Sequence, residues 1–157
     1  MKNKYSDLID QTFEFPQDEF KTEDNELYFH NIPLMEIIKQ YGTPLKITYL
    51  PKISSQIQRA KRLFNVSRTK VDYKGSYNYF YCTKRSHFSF ILEEVLKNEV
   101  NLETSSAFDI NLIQELYTQG LIDKDIYIIC NGYKRQQYIE NIAGMIDDGF
   151  HNMVPVI

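Results

Sequence analysis

Several features that define large classes of protein are scarce or missing in this sequence. It has no apolar run that approaches the roughly 20 residues that a membrane-spanning helix needs. The N-terminus is mixed and acidic, without the apolar core and small-residue cleavage site of a signal peptide. Its 2 cysteines, Cys82 and Cys130, lie at or near the ends of strand-like runs, which suits reduced thiols better than a secreted disulfide framework. We therefore expect a cytoplasmic protein that does not enter a membrane.

The sequence also has no excess of positive charge and no group of residues with the spacing of metal ligands. The chain has 18 basic and 21 acidic residues and a net charge of −3, which argues against binding of nucleic acid through phosphate contacts. His30 and His151 lie far apart, and no cysteine or carboxylate spacing around them indicates a metal site. Aromatic residues are abundant instead, with 10 Phe and 12 Tyr among 157 residues. That is too many for a disordered chain, so the composition predicts a globular protein with a sizeable core.

The chain is organised as an arm followed by a regular part. Residues 1–44 begin without sustained periodicity and with six acidic side chains between residues 14 and 26, which predicts an irregular arm with one short strand near residues 27–30. A short helix over residues 34–40 follows, with Gly42 as its C-terminal stop. We therefore place an N-terminal arm and short helix in residues 1–44 and a regular domain in residues 45–157.

From residue 45 onward, short apolar runs alternate with amphipathic stretches. The predicted strands are residues 45–50, 77–83, 100–103, 126–130 and 153–157. The predicted helices are residues 54–64, 87–97, 107–118 and 134–146. Strand–helix–strand units of this length, with strands apolar on both faces, predict an α/β fold with parallel pairing and right-handed crossovers.

Two α/β architectures fit this pattern, an open doubly wound sheet and part of a (β/α) barrel. No glycine-rich phosphate turn follows any predicted strand, which argues against a dinucleotide-binding fold and a P-loop fold. A closed eightfold barrel typically needs about 250 residues. Because the regularly spaced part provides four strands and the chain stops in the fourth, the sequence predicts half a barrel.

Lys84 is an unusual residue for the place it occupies. The alternation in YNYFYCTK puts Phe80, Cys82 and Lys84 on one face of a strand, with Lys84 at its carboxyl end. A barrel carries its catalytic groups at that end, and a lysine held in an apolar wall has a lowered pKa and a reactive amine. The alternative is that Lys84 extends from the strand end into water, which is the more common arrangement.

Three segments, YFYCTKRSHF, NLETSSAFDI and YIICNGYKRQQYI, resemble successive blocks of a known enzyme family. They are similar to the pyridoxal-phosphate-dependent decarboxylases of ornithine, lysine, arginine and diaminopimelate, and most of all to the biosynthetic arginine decarboxylases. The lead-in YGTPLKITYLPKI resembles that family too, so the likeness covers about residues 32–157. It implies about the first four βα units of a (β/α)8 TIM barrel of the alanine-racemase-like type, preceded by an N-terminal arm.

The resemblance also implies site residues. Lys84 corresponds to the Schiff-base lysine that holds pyridoxal 5'-phosphate. Glu103, Ser105 and Ser106 fall in the family's block of an acidic residue and small residues, which lines the cofactor pocket, although Glu103 replaces the more common aspartate. Ser106 has a second explanation as the N-cap of the helix over residues 107–118, in a weak capping box.

A third block resembles the family's N-P-x-K turn. Asn131 and Lys134 match it, with Gly132 in place of proline. Turn chemistry and a solvated cation explain the same residues without any role in binding, and this is the explanation that we favour.

The implied activity is decarboxylation of an amino acid, most readily arginine to agmatine and CO2 in polyamine biosynthesis. Ornithine, lysine and diaminopimelate are alternative substrates, and a non-catalytic regulator with the same fold is an alternative function. The family's phosphate loop and C-terminal domain lie later in its sequence, so we expect residues 1–157 to be an inactive fragment in isolation. The resemblance further implies a homodimer or higher oligomer. From the charge, the short apolar runs and the histidine spacing, we expect no nucleic acid or membrane as partner and no metal.

Overall fold

The chain divides into two compact units, Met1–Thr48 and Tyr49–Ile157. The computed structural model describes residues 19–157. Residues 1–18, the first part of the predicted irregular arm, lie outside the described residues. No helix among the described residues is both long and apolar enough to cross a membrane.

The first unit contains a small antiparallel sheet. Its strands, in chain order and in spatial order, are β1 (Phe20–Glu23), β2 (Glu26–Phe29) and β3 (Ile32–Pro33). The two connections are Asp24-Asn25 and His30-Asn31, and all four residues have positive φ, between 47° and 65°. Two-residue turns of this kind match the twist of a hairpin, and asparagine tolerates them well.

The prediction of an irregular arm is therefore wrong over residues 20–33, because the two asparagine-containing turns fold that segment into hairpins. The single strand predicted near residues 27–30 corresponds to β2. The next element, helix α1 (Leu34–Tyr41), confirms the predicted short helix. It ends at Gly42, whose φ is 79° and whose N–H donates to the carbonyl oxygen of Ile38 at 2.8 Å.

The second unit is built on a four-stranded parallel sheet with the order β4-β5-β6-β7. Its strands are β4 (Phe80–Cys82), β5 (Asn101–Thr104), β6 (Ile128–Cys130) and β7 (Met153–Pro155). Its helices are α2 (Leu50–Lys70), α3 (Ser89–Leu96), α4 (Ala107–Thr118) and α5 (Gln136–Asp147). The predicted α/β class and the parallel pairing are confirmed.

The predicted strand over residues 45–50 does not form. That segment has no regular structure up to residue 49, and α2 begins at Leu50. Pro51 explains the change, since proline fits the first turn of a helix, where its missing N–H costs nothing. Ile47 remains 44% exposed, so the apolar run does not find the neighbouring strand it would need.

The core lies on one side of the sheet, where the helices pack. Register aligns Leu102 with Ile128 and Ile128 with Met153, and these side chains are at most 6% exposed. They contact buried residues of α3, α4 and α5 in a single cluster. Burying each leucine or isoleucine contributes about 1.5–3 kcal/mol. The strands were expected to be buried on both faces, but only the helix-covered face is.

Helix α2 is fixed to α3 by a polar seam. Asn98 is buried, and its side-chain amide donates to Ser54 Oγ at 2.8 Å and accepts from Gln58 Nε2 at 3.0 Å. Lys61 Nζ donates to the carbonyl oxygens of Asn98 and Glu99 at 2.9 and 3.2 Å. These bonds satisfy the end of α3 and place β4 beside β5, where the candidate site lies.

Candidate functional site

Lys84 follows β4 at the carboxyl edge of the sheet. The strand ends at Cys82, and Thr83–Arg85 form one turn of 3-10 helix. Thr83 is fully buried and its hydroxyl donates to the carbonyl oxygen of Glu103 at 3.0 Å, whereas Lys84 is exposed. Extended structure stops at Cys82, so the strand alternation from which the face of Lys84 was predicted does not extend to the lysine, which belongs to the 3-10 turn.

Glu103 lies between two neighbouring strands on the open face of the sheet, the face that carries Cys82, Glu103, Ile129 and Val154. Its register partner on β4 is Cys82, whose Sγ lies 3.6 Å from Glu103 Oε1. The same oxygen accepts a hydrogen bond from Asn131 Nδ2 at 3.1 Å. The end of β4 and the turn after β6 therefore meet at the carboxylate of β5, and Asn131 is a candidate site residue for which sequence reasoning favoured plain turn chemistry.

Cys82 is a neutral thiol in this arrangement. Burial raises its pKa, and the negative charge of Glu103 raises it further, while the nearby charge of Lys84 acts in the opposite direction. A thiol with a raised pKa is a poor nucleophile near neutral pH. Cys82 is therefore a poor candidate for the reactive group at this edge.

Ser106 is the N-cap of α4, as one of the two explanations predicts. Its hydroxyl accepts a hydrogen bond from the Asp109 N–H at 3.4 Å. The reciprocal bond differs from a capping box, because Asp109 Oδ2 accepts from the backbone N–H and the hydroxyl of Ser105, at 2.7 and 3.1 Å. A serine hydroxyl that accepts a bond still has its own proton to donate. Capping therefore does not prevent Ser106 from binding an anion.

The turn after β6 is held in one conformation. Lys134 Nζ donates to the carbonyl oxygens of Cys130 and Gly132 at 2.8 and 2.9 Å, and lies 5.2 Å from the centre of the Tyr138 ring. Gly132 has a φ of 82°, and a Cβ there would overlap the carbonyl oxygen of Ser105. Proline, with φ near −65°, could not adopt this conformation. Lys134 thus stabilises the turn and is half-buried, whereas the favoured explanation of its charge was a solvated cation.

A buried hydrogen bond lies beneath this edge, on the helix-covered side. Thr104 Oγ1 and the Tyr138 hydroxyl are 2.9 Å apart, and both residues are at most 1% exposed. Burial raises the pKa of Tyr138 to about 12, so the phenol stays protonated. The pair connects β5 to α5 and was missed from the sequence, where Tyr138 is one member of an apolar stripe.

The surroundings of this edge are aromatic and partly open. The ring of His87 lies 6.0 Å from that of Phe88 and 5.6 Å from that of Phe108. A cleft of about 390 Å³ opens between the turns after β5 and β6, lined in part by Ser106, Phe108 and Tyr133. A larger groove runs along α2, away from these turns. Within residues 19–157, no three His, Cys, Asp or Glu side chains are placed to hold a metal ion.

Comparison with known proteins adds two relatives, while no protein-family model matches the chain. The biosynthetic arginine decarboxylase of Phocaeicola vulgatus is 24% identical over 107 residues, which are 66% of this chain and 16% of that protein. The crystal structure of the biosynthetic arginine decarboxylase SpeA from Campylobacter jejuni superposes with a TM-score of 0.66 at 20% identity, over 88% of this chain and 25% of that chain. The chain therefore spans a minor part of each relative. In sequence and in fold, it resembles the N-terminal portion of biosynthetic arginine decarboxylase.

Proposed function

We propose that the chain is the lysine-bearing N-terminal part of a pyridoxal-phosphate-dependent arginine decarboxylase. The complete enzyme would convert arginine to agmatine and CO2 in polyamine biosynthesis, in the cytoplasm, as a homodimer or higher oligomer. The observation that carries the proposal is the meeting of Lys84, Glu103 and Asn131 at one carboxyl edge, in a chain with the fold of an arginine decarboxylase segment.

The topology of the sheet supports a partial barrel over a doubly wound sheet. The four strands follow one another in sequence order, without the reversal that defines a doubly wound fold. The helices contribute to the core from one face, and on the other face Ile129 is half-buried and Val154 is 45% exposed. Four such units with one covered face are what half of a (β/α)8 barrel would provide.

The polar groups at the carboxyl edge of the sheet fit part of the cofactor. The Lys84 amine is exposed and able to react with an aldehyde, and the Ser106 hydroxyl and the first backbone N–H groups of α4 suit an anion. Glu103 presents a carboxylate whose Oε2 makes no hydrogen bond among the described residues. Lys84, Glu103 and Ser106 are the residues that we assign to cofactor binding, with Lys84 also catalytic.

Each residue has a distinct task in this proposal. Bound pyridoxal phosphate supplies an electron sink for the bond that breaks. Lys84 holds the cofactor through its Nζ and moves a proton at that atom when the product leaves. Asn131 fixes Glu103, which then orients the bound group, and the buried Thr104 and Tyr138 below keep the edge rigid. Turnover needs the phosphate site and substrate groups of the complete enzyme, so we expect residues 1–157 alone to be inactive.

The test is reductive trapping of pyridoxal phosphate. The chain, and the same chain extended by any coding sequence that continues beyond Ile157, is mixed with the cofactor, scanned for a visible band, reduced with borohydride and mapped by mass spectrometry. We expect saturable labelling of Lys84 that Lys84→Ala abolishes and Lys97→Ala, at an exposed helix position, leaves unchanged. Labelling without turnover in the longer chain would favour the regulator. Absence of Lys84 labelling in both chains would refute the proposal.

A further inference from the structure

Asn131 and Gly132 form the only Asn-Gly pair in the sequence. An asparagine followed by glycine can cyclise, because the next backbone nitrogen attacks the side-chain carbonyl carbon and glycine has no Cβ to hinder it. Both residues are exposed, so water and base can reach them. The pair lies in the turn after β6, at the candidate site.

The geometry of the turn brings the reacting groups together. The Gly132 N–H donates to Asn131 Oδ1 at 2.8 Å, which holds the side-chain carbonyl group beside the backbone nitrogen that attacks its carbon. The Asn131 N–H donates to the carbonyl oxygen of Thr104 at 2.8 Å, and Lys134 holds the carbonyl of Gly132. The backbone on both sides of the reacting bond is thereby fixed, and the amide keeps a constant place relative to Gly132.

We propose that Asn131 is a site of spontaneous deamidation, which adds negative charge to the carboxyl edge of the sheet. The Gly132 nitrogen bonds to Asn131 Cγ, the bond from Cγ to Nδ2 breaks, and the Gly132 N–H proton leaves with that nitrogen as ammonia. Water then opens the cyclic imide to give aspartate or isoaspartate at position 131. No oxidant, reductant or enzyme is needed.

Glu103 determines what the change does to the structure. In the unmodified chain, its Oε1 accepts a hydrogen bond from Asn131 Nδ2 at 3.1 Å. After deamidation two carboxylates face each other there, and like charges at that distance disfavour joint ionisation. An isoaspartate also adds a methylene to the backbone where Gly132 packs tightly against Ser105. The contact between the turns after β5 and β6 is therefore lost.

The first test follows the chemistry directly and does not rest on the proposed function. The folded chain is incubated at mildly alkaline pH and neutral pH, digested, and each asparagine peptide is followed by mass spectrometry with isoaspartate detection. We expect conversion at Asn131 to exceed that at Asn141 and buried Asn98 by about tenfold or more, faster at alkaline pH. Equal rates at the three positions would overturn the proposal.

The second test measures the consequence with a mimic of the product. Asn131→Asp is expected to raise the unfolding equilibrium constant about tenfold near pH 8, because the hydrogen bond from Asn131 to Glu103 is replaced by charge repulsion. In a Glu103→Gln background the same change should have a much smaller effect, since the opposing charge is gone. An equal effect in both backgrounds would refute the role assigned to Glu103.

Discussion

The two faces of the parallel sheet differ in what covers them, and the difference separates stability from chemistry. On the helix-covered face, Leu102, Ile128 and Cys130 are fully buried in one apolar cluster. On the open face, Cys82 and Glu103 are only half-buried and bond to polar partners. Adjacent residues of one strand therefore serve different purposes, because successive side chains point to opposite faces.

Shortening one side chain on each face of a single strand tests this comparison most directly, and it has the largest expected effect. Ile128 and Ile129 are identical neighbours on β6, the first fully buried and the second half-buried. We expect Ile128→Ala to lower the free energy of unfolding by about 3–4 kcal/mol, because it leaves a cavity. Ile129→Ala should cost about 1 kcal/mol or less.

Urea denaturation of the two variants beside the unmodified chain gives both values. Equal losses of the free energy of unfolding would show that the open face is covered in solution to the same extent as the helix-covered face.

The turn after β6 gives a second matched pair, between a glycine at the edge and a glycine in the helix layer. Gly132→Ala should destabilise the chain by about 2 kcal/mol, because φ is positive and the new Cβ would overlap the Ser105 carbonyl. Gly144 lies inside α5 with open space around its Cα. Gly144→Ala should therefore stabilise the chain by about 0.5–1 kcal/mol.

Thermal unfolding followed by circular dichroism distinguishes the two glycines by the sign of the change. A neutral Gly132→Ala would mean that the turns after β5 and β6 are not in close contact.

Variants of Ser106 distinguish helix capping from ligand binding, and their expected effect on stability is smaller. Ser106→Ala should lower the free energy of unfolding by about 1 kcal/mol, because the first turn of α4 loses its cap. Ser106→Asp retains the cap and favours the helix N-terminus electrostatically. If Ser106 binds an anionic group as proposed, Ser106→Asp should nevertheless weaken trapping of pyridoxal phosphate.

Stability and trapping are therefore measured on the same two variants. A Ser106→Asp chain that is stable and traps the cofactor normally would leave Ser106 as a cap alone.

Local signals in the sequence were sufficient to predict much of the secondary structure of the second unit. The predicted helix over residues 107–118 coincides with α4, because a serine cap begins it and a glycine follows its end. Parallel pairing followed from the repeated strand–helix spacing. Helix α2, by contrast, extends well beyond the predicted residues 54–64, since its last residues lack an apolar stripe and periodicity gives no sign of them.

Features that depend on contacts between distant residues could not be predicted. The hydrogen bond from Asn131 to Glu103 joins residues 28 apart in sequence, and the approach of Gly132 to Ser105 has no local signal. The position of Lys84 in a 3-10 turn had no local signal either, and this turn replaces the last residues of the expected strand. The sequence identified the site residues whose chemistry is unusual for their position. It did not identify the contacts that hold those residues in place.

The smallest expected effect concerns the polar seam on the covered side. Glu94 has a lowered pKa, because Ser54 Oγ donates to its Oε1 at 2.5 Å and Lys97 donates to its Oε2 at 2.9 Å. A carboxyl whose pKa is lowered by folding stabilises the fold above its unfolded pKa, and this contribution is lost as pH falls through the folded pKa.

Ser54→Ala should raise the pKa of Glu94 toward its ordinary value, and Lys97→Ala should raise it less, since the Ser54 bond is the larger cause. Carboxyl chemical shifts followed by NMR through an acid titration give the pKa in each variant. A larger change in Lys97→Ala would mean that charge, and not the bond between α2 and α3, sets the ionisation of Glu94. The polar seam would then hold the two helices through the bonds of Asn98 and Lys61, and Glu94 would add little to it.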